Sequence, residues 1–123
     1  MSKLLIVEDN DKTRILMQKV LAYFKHEVVL AADAQEALTI MKSQQDIDLI
    51  VTDLLMPHMS GEDFIRLIRA EEQYKKIPII VVSTEATRLV GNKDVQAIVQ
   101  KPFLPSELNQ TIVKALAQRP AAT

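Results

Sequence analysis

Residues 49–61 read Leu49-Ile50-Val51-Thr52-Asp53-Leu54-Leu55-Met56-Pro57-His58-Met59-Ser60-Gly61. The first four are aliphatic or β-branched and too few for a helix. They predict a strand buried on both faces, ended by an acid and followed by a loop marked by proline and glycine. Similar short apolar runs lie on either side, at Lys3 to Val7, Glu27 to Ala31, Ile77 to Ser83 and Ala97 to Val99, alternating with longer amphipathic stretches. That alternation is the pattern of a parallel sheet covered by crossover helices. Right-handed crossovers then favour an α/β doubly wound fold, a (βα)5 three-layer sandwich whose five-stranded parallel sheet has the order 2-1-3-4-5.

Helix signals fill the intervals. Asn10 or Asp11 caps a helix carrying Ile15, Leu16, Val20, Leu21 and Phe24 at helical spacing. Asp33 with Glu36 resembles a capping box ahead of Ala37, Leu38, Ile40 and Met41, and Ser60 with Asp63 opens a helix expected to bury Phe64, Ile65, Leu67 and Ile68. Pro105 suits the first turn of a last helix bearing Leu108, Ile112, Ala115 and Leu116. Only thirteen residues, Thr84 to Gln96, separate the last two strands, and Gly91-Asn92 interrupts them. The fourth helix should therefore be shortened to about one or two turns. Residues 1–118 are expected to form one domain, with 119–123, Arg119-Pro120-Ala121-Ala122-Thr123, as a tail or the start of a linker.

Composition narrows the function classes. A chain of 123 residues with 48% hydrophobic content has room for one core, and its net charge of -1, with Lys and Arg scattered, leaves no footprint for nucleic acid or an acidic membrane. Partners should be proteins or small anions. The absence of cysteine removes disulfides, thiolate zinc sites and cysteine nucleophiles, and fits a reducing cytoplasm. Glu8 follows the first apolar run too soon for a signal peptide, and no run approaches membrane-spanning length.

In an open α/β sheet the binding crevice lies beyond the carboxyl ends of the strands. Strand one ends in Glu8-Asp9, strand three in Asp53, strand four in Ser83-Thr84, and Lys101 follows strand five. Singly, each has an ordinary explanation as a cap, a turn former or a surface charge. Jointly, three carboxylates, a hydroxyl and a lysine should meet at one edge. Carboxylates so close must bind a cation, hold a proton or pair with lysine. Mg²⁺ fits because it takes hard oxygen ligands and keeps positions for phosphate, with Mn²⁺ able to stand in for it, whereas zinc would want His or Cys. An ionised Asp53 beside that cation can attack phosphorus without a general base, and Lys101 and the Ser83 hydroxyl are suitable counter-groups for phosphoryl oxygens.

These residues resemble the receiver domain of bacterial two-component response regulators over nearly the whole chain. The match rests on Asp53-x-x-Met56-Pro57-x-Met59-x-Gly61 together with Glu8-Asp9, Pro78 to Ser83 and Lys101-Pro102-Phe103. The resemblance implies a flavodoxin-like fold, phosphorylation at Asp53, and metal binding by Glu8, Asp9, Asp53 and the backbone carbonyl of Leu55. It implies that Ser83 is the switch hydroxyl, that Lys101 pairs with Asp53 and then with the phosphoryl group, and that the Lys101-Pro102 bond is cis. Gly61 would relieve crowding at the following helix. The implied partner is a sensor histidine kinase or a histidine phosphotransfer protein, docking against Met17, Pro102, Phe103 and Leu104. The implied role is a phosphorylation-dependent signalling switch, not a turnover enzyme, which at most catalyses its own phosphorylation and dephosphorylation.

Ile98 stands where receivers often carry Phe or Tyr, so a shift of Ser83 should be read out through the backbone. Thr84 replaces a smaller residue beside the acceptor, and Leu55 and Glu85 occupy positions that tune loss of the phosphoryl group. His58 should face solvent and His26 should precede strand two without a ligand. An aspartyl-phosphate phosphatase would need a second acid where Leu55 stands, and a flavin module would need a glycine-rich phosphate loop where Glu8-Asp9-Asn10-Asp11 stands. A receiver kept only for protein contacts would have no use for the complete set of Asp53, Ser83 and Lys101.

Overall fold

The computed structural model describes residues 2–118; the expected tail at 119–123 lies outside them. Strands β1 (Lys3–Val7), β2 (Glu27–Ala31), β3 (Leu49–Thr52), β4 (Ile79–Ser83) and β5 (Ala97–Gln100) form one parallel sheet in the order β2-β1-β3-β4-β5. Helices α1 (Asp11–Tyr23), α2 (Ala34–Ser43), α3 (Gly61–Ala70) and α4 (Pro105–Gln118) connect or follow them. Strand alternation divides the core into two layers. Leu5, Val7, Ile50, Ile79 and Val81 face Ala37, Met41, Phe64 and Ile68 from α2 and α3. Leu4, Ile6, Leu49, Val51, Ile80 and Val82 face Met17, Leu21, Leu108 and Ile112 from α1 and α4.

The caps form as their chemistry dictates. Asn10 Oδ1 accepts from the Thr13 N–H at 2.9 Å, Asp33 Oδ1 from the Glu36 N–H at 2.8 Å and Ser60 Oγ from the Asp63 N–H at 3.1 Å. In the second of these the returning Glu36 carboxylate accepts from the Ala32 N–H at 3.3 Å, not from that of the cap residue.

Three expectations need correction. Strand β4 begins at Ile79, because the Ile77 N–H bonds Tyr74 O at 3.2 Å and Pro78 has no N–H to give the ladder. Strand β5 runs one residue further, to Gln100. The segment expected as a fourth helix of about one or two turns is short as expected, a single 3₁₀ turn at Ala86–Leu89. Leu67 is 44% exposed, and so are Ile15 at 47% and Leu16 at 53%, whereas Met17 is buried at 1%. At about 100° per residue, Met17, Val20, Leu21 and Phe24 share a stripe, while Ile15 falls opposite it and Leu16 at its edge.

The truncated segment is fastened at both ends. Arg88 pairs with Glu62 at the start of α3. Arg69, near the end of α3, donates to Asp94 O at 2.8 Å and to Ile77 O at 2.8 Å, tying the approaches to β4 and β5 together. His26, just before β2, shares a 2.8 Å hydrogen bond with the Asn109 side chain on α4. Among the described residues no helix is long and apolar enough to cross a membrane.

Candidate functional site

Backbone bonds just past the strand ends carry the polar residues onto the sheet edge. The Glu8 N–H donates to Ala31 O at 3.1 Å, the Asp53 N–H to Val7 O at 3.1 Å and the Lys101 N–H to Ser83 O at 3.0 Å. Each residue thus extends a ladder with a neighbouring strand, and their side chains meet. Carboxylate oxygens of Glu8, Asp9 and Asp53 all lie within 4.8 Å of one another. Lys101 Nζ reaches Glu8 Oε1 at 2.5 Å and Asp53 Oδ2 at 2.7 Å, and the Lys101-Pro102 bond is cis.

Asp53 is only 6% exposed. Its Oδ1 accepts from the peptide N–H groups of Leu54 at 2.6 Å and Leu55 at 3.2 Å. Burial pushes its pKa up, but hydrogen bonds from Lys101, Ser83 and the Leu55 N–H outweigh burial and hold the carboxyl below its ordinary value. Lys101 is lowered by burial and raised more strongly by Asp53 and Glu8, so it stays an ammonium. Glu8 shows the opposite balance to Asp53: burial raises it more than the bonds from Lys101 and the Asn10 N–H pull it down. Of these two buried carboxyls, the acceptor candidate is therefore the one whose surroundings favour the ionised form.

These groups fit a divalent cation. Three carboxylates against one ammonium leave two negative charges uncompensated. Glu8 is buried while Asp9 is exposed, so the cluster opens to solvent on one side. All the donors are hard oxygens, the ligand type Mg²⁺ takes.

The tuning residues surround the cluster unevenly. Ser83 is fully buried, and its Oγ accepts from the Glu85 N–H at 3.1 Å. Thr84 and Glu85 are exposed, and Thr84 O accepts from Gln100 Nε2 at 2.6 Å. Leu55 is 50% exposed at the mouth of the site, and Ile98 is half-buried against the α2–α3 layer. Among the docking candidates Pro102 and Leu104 are exposed and Phe103 is half-buried. Met17 is in the core and offers no surface; Ile15 and Leu16 occupy the outside of α1 instead. His58 is exposed, as expected.

Arg14 was not singled out by sequence, yet its guanidinium contacts the loop that carries the acidic pair. The available signal was an arginine in the first helical turn after an acidic loop, a placement that lets the side chain fold back toward the sheet edge.

An acidic cluster bridged by a half-buried lysine at the carboxyl edge of a doubly wound sheet defines a class of site built to manage oxyanion charge. The family comparison is specific. The response regulator receiver domain model matches residues 4–113, and the chain belongs to that family. It is therefore a phosphoacceptor signalling domain of the two-component type. It is 31% identical over 119 residues to a chemotaxis protein CheY homolog of Campylobacter jejuni, covering 93% of this chain and 92% of that protein. Among solved structures it is similar to the chemotaxis response regulator CheY4 of Vibrio cholerae, with a TM-score of 0.84 and 32% identity over 94% of this chain and 98% of that one. A receiver domain of a Pseudomonas aeruginosa sensor histidine kinase, solved with a magnesium ion coordinated in its active site cleft, gives a TM-score of 0.83 and 27% identity over 95% of this chain and 98% of that one.

Proposed function

We propose that Asp53 is the residue that takes the phosphoryl group, with Glu8, Asp9 and the Leu55 carbonyl holding Mg²⁺ beside it. The carrying observation is the grip on Asp53: two peptide N–H groups fix one oxygen, and Lys101 contacts the other at 2.7 Å. A nucleophile so fixed needs no proton removed, because its carboxyl is held below the ordinary range. In the step, an Asp53 oxygen forms a bond to phosphorus as the donor's P–N bond (phosphohistidine) or P–O bond (acetyl phosphate) breaks. The bonding pair leaves with the donor. Mg²⁺, when bound, would supply charge neutralisation for the phosphoryl oxygens. Lys101 Nζ moves from Asp53 to a phosphoryl oxygen, and the Ser83 hydroxyl donates to the same group.

Leu55 at the mouth shields the acyl phosphate from water, while Thr84 narrows the approach. Ser83 already carries the Glu85 N–H, so its movement is passed to the turn at Ala86–Leu89 and, through Arg88 and Glu62, to α3. This backbone route replaces an aromatic switch, consistent with Ile98. The donor is a histidine kinase or histidine phosphotransfer protein, and Phe103 and Leu104 with Ile15 and Leu16 offer apolar surface for a docking helix. In this reading the chain is a regulatory phosphoacceptor that at most catalyses its own phosphorylation and dephosphorylation.

Incubation with acetyl phosphate, followed by intact-mass measurement, tests this reading. Wild type should gain one phosphoryl mass with Mg²⁺ and none in excess chelator. Lys101→Ala should acquire it about 10²–10³-fold more slowly, the usual cost of deleting a preorganised charge donor. Equal uptake without metal, or by Lys101→Ala, would overturn it.

A further inference from the structure

We infer that Arg14 is a positioning residue for the cation site, holding the backbone on both sides of Asp9. This rests on the reading of Glu8 and Asp9 as cation ligands. Arg14 lies in the first turn of α1, anchored by its own N–H to Asn10 O at 2.9 Å. Its side chain is 17% exposed and folds back toward the sheet. Nη1 donates to Glu8 O at 2.9 Å and makes a longer approach to Asp9 O at 3.4 Å, while Nη2 pairs with Asp11 Oδ1.

The two carbonyls belong to the peptide units immediately before and after the Asp9 Cα. Holding both planes fixes the Asp9 backbone dihedrals, and these set the direction of its Cβ and carboxylate. Asp9 needs this support more than its neighbours. Glu8 is buried, its carboxylate held by Lys101 and by the Asn10 N–H at 3.1 Å, and Asp53 is gripped by two peptides and Lys101. Asp9 is exposed, so the backbone is what remains to aim it. The planar fork of Arg14 can reach the loop with one nitrogen and Asp11 with the other, which a single ammonium cannot reproduce.

The charge of Arg14 argues in the other direction. Removing a cation near three carboxylates, and freeing Asp11, makes the neighbourhood more negative and by Coulomb attraction alone would tighten cation binding. Positioning predicts weakening. The two roles therefore differ in sign.

The test is a direct Mn²⁺ titration of the intact chain, read by the loss of the free-ion electron paramagnetic resonance signal, on wild type, Arg14→Ala and Arg14→Lys. Thermal melts of the metal-free proteins accompany it. Arg14→Ala should bind Mn²⁺ about tenfold more weakly, the low end of what loss of an outer-shell partner costs. Arg14→Lys should fall between Arg14→Ala and wild type, although its charge is unchanged, with all three proteins folded at the titration temperature. Equal or tighter binding by a folded Arg14→Ala would overturn the inference, as would wild-type affinity in Arg14→Lys should Arg14→Ala not fold. Failure of wild type itself to bind Mn²⁺ would instead overturn the cation-site reading.

Discussion

Asp53→Asn should leave a folded protein that gains no phosphoryl mass from acetyl phosphate and Mg²⁺. The amide is nearly isosteric with the carboxylate. Its oxygen can keep accepting from the Leu54 and Leu55 N–H groups, and Lys101 keeps Glu8 as its partner. What is lost is the anion that attacks phosphorus and one of the three carboxylates within 4.8 Å. Stability should change little. The substitution gives up the ion pair with Lys101 but relieves repulsion among the acids, so the net effect should stay within about 1 kcal/mol. A melting curve close to wild type beside a complete absence of adduct is the expected pair of results. Persistent uptake would place the acceptor on another residue.

The second large effect is on stability. A Cβ at Gly61 would lie 2.2 Å from Asp53 O and 2.7 Å from Leu54 Cα, and both contacts are backbone. No side chain can swing aside, so either the start of α3 or the acceptor loop must move. The Gly61 N–H to Leu54 O bond at 2.9 Å would be strained or lost. Overpacking costs about 1–3 kcal/mol and a lost hydrogen bond about 1 kcal/mol more. Gly61→Ala should therefore lower the melting temperature by on the order of 10 °C. Because the obstructed atom is the carbonyl of Asp53 itself, the folded fraction should also take up phosphoryl groups more slowly. A wild-type melt would mean that the close approach is not rigid.

Much of this was legible before any coordinates. Strands buried on both faces announce themselves as continuous apolar runs, so Leu49–Thr52 and Lys3–Val7 were readable at their bounds. The convergence of Glu8, Asp9, Asp53, Ser83 and Lys101 followed from topology, since parallel strands deliver all their carboxyl ends to one edge. The losses have physical causes too. Ile77 is apolar and β-branched, but the proline after it leaves the sheet's hydrogen bonding to begin later. Ile15 and Leu16 are as apolar as Val20 and Leu21, and only the helical projection shows that Met17, not Ile15, faces the sheet. The fastening of the truncated segment by Arg69 and Arg88 was hidden, because a long side chain's carbonyl or carboxylate partners are set by tertiary distance and not by spacing. Arg14 differs, because its partners Glu8, Asp9 and Asp11 lie within six residues of it and the acidic loop before α1 was the signal that could have found it.

The most direct measurement maps the modification itself. Wild-type protein treated with acetyl phosphate and Mg²⁺ is reduced with borohydride, which converts an acyl phosphate into an alcohol, and the residue changed is located by peptide mass spectrometry. The account predicts homoserine at position 53 alone, and none when Mg²⁺ is withheld. Reduction at Glu8 or Asp9, or an adduct that forms without yielding any reduced residue at 53, would contradict it.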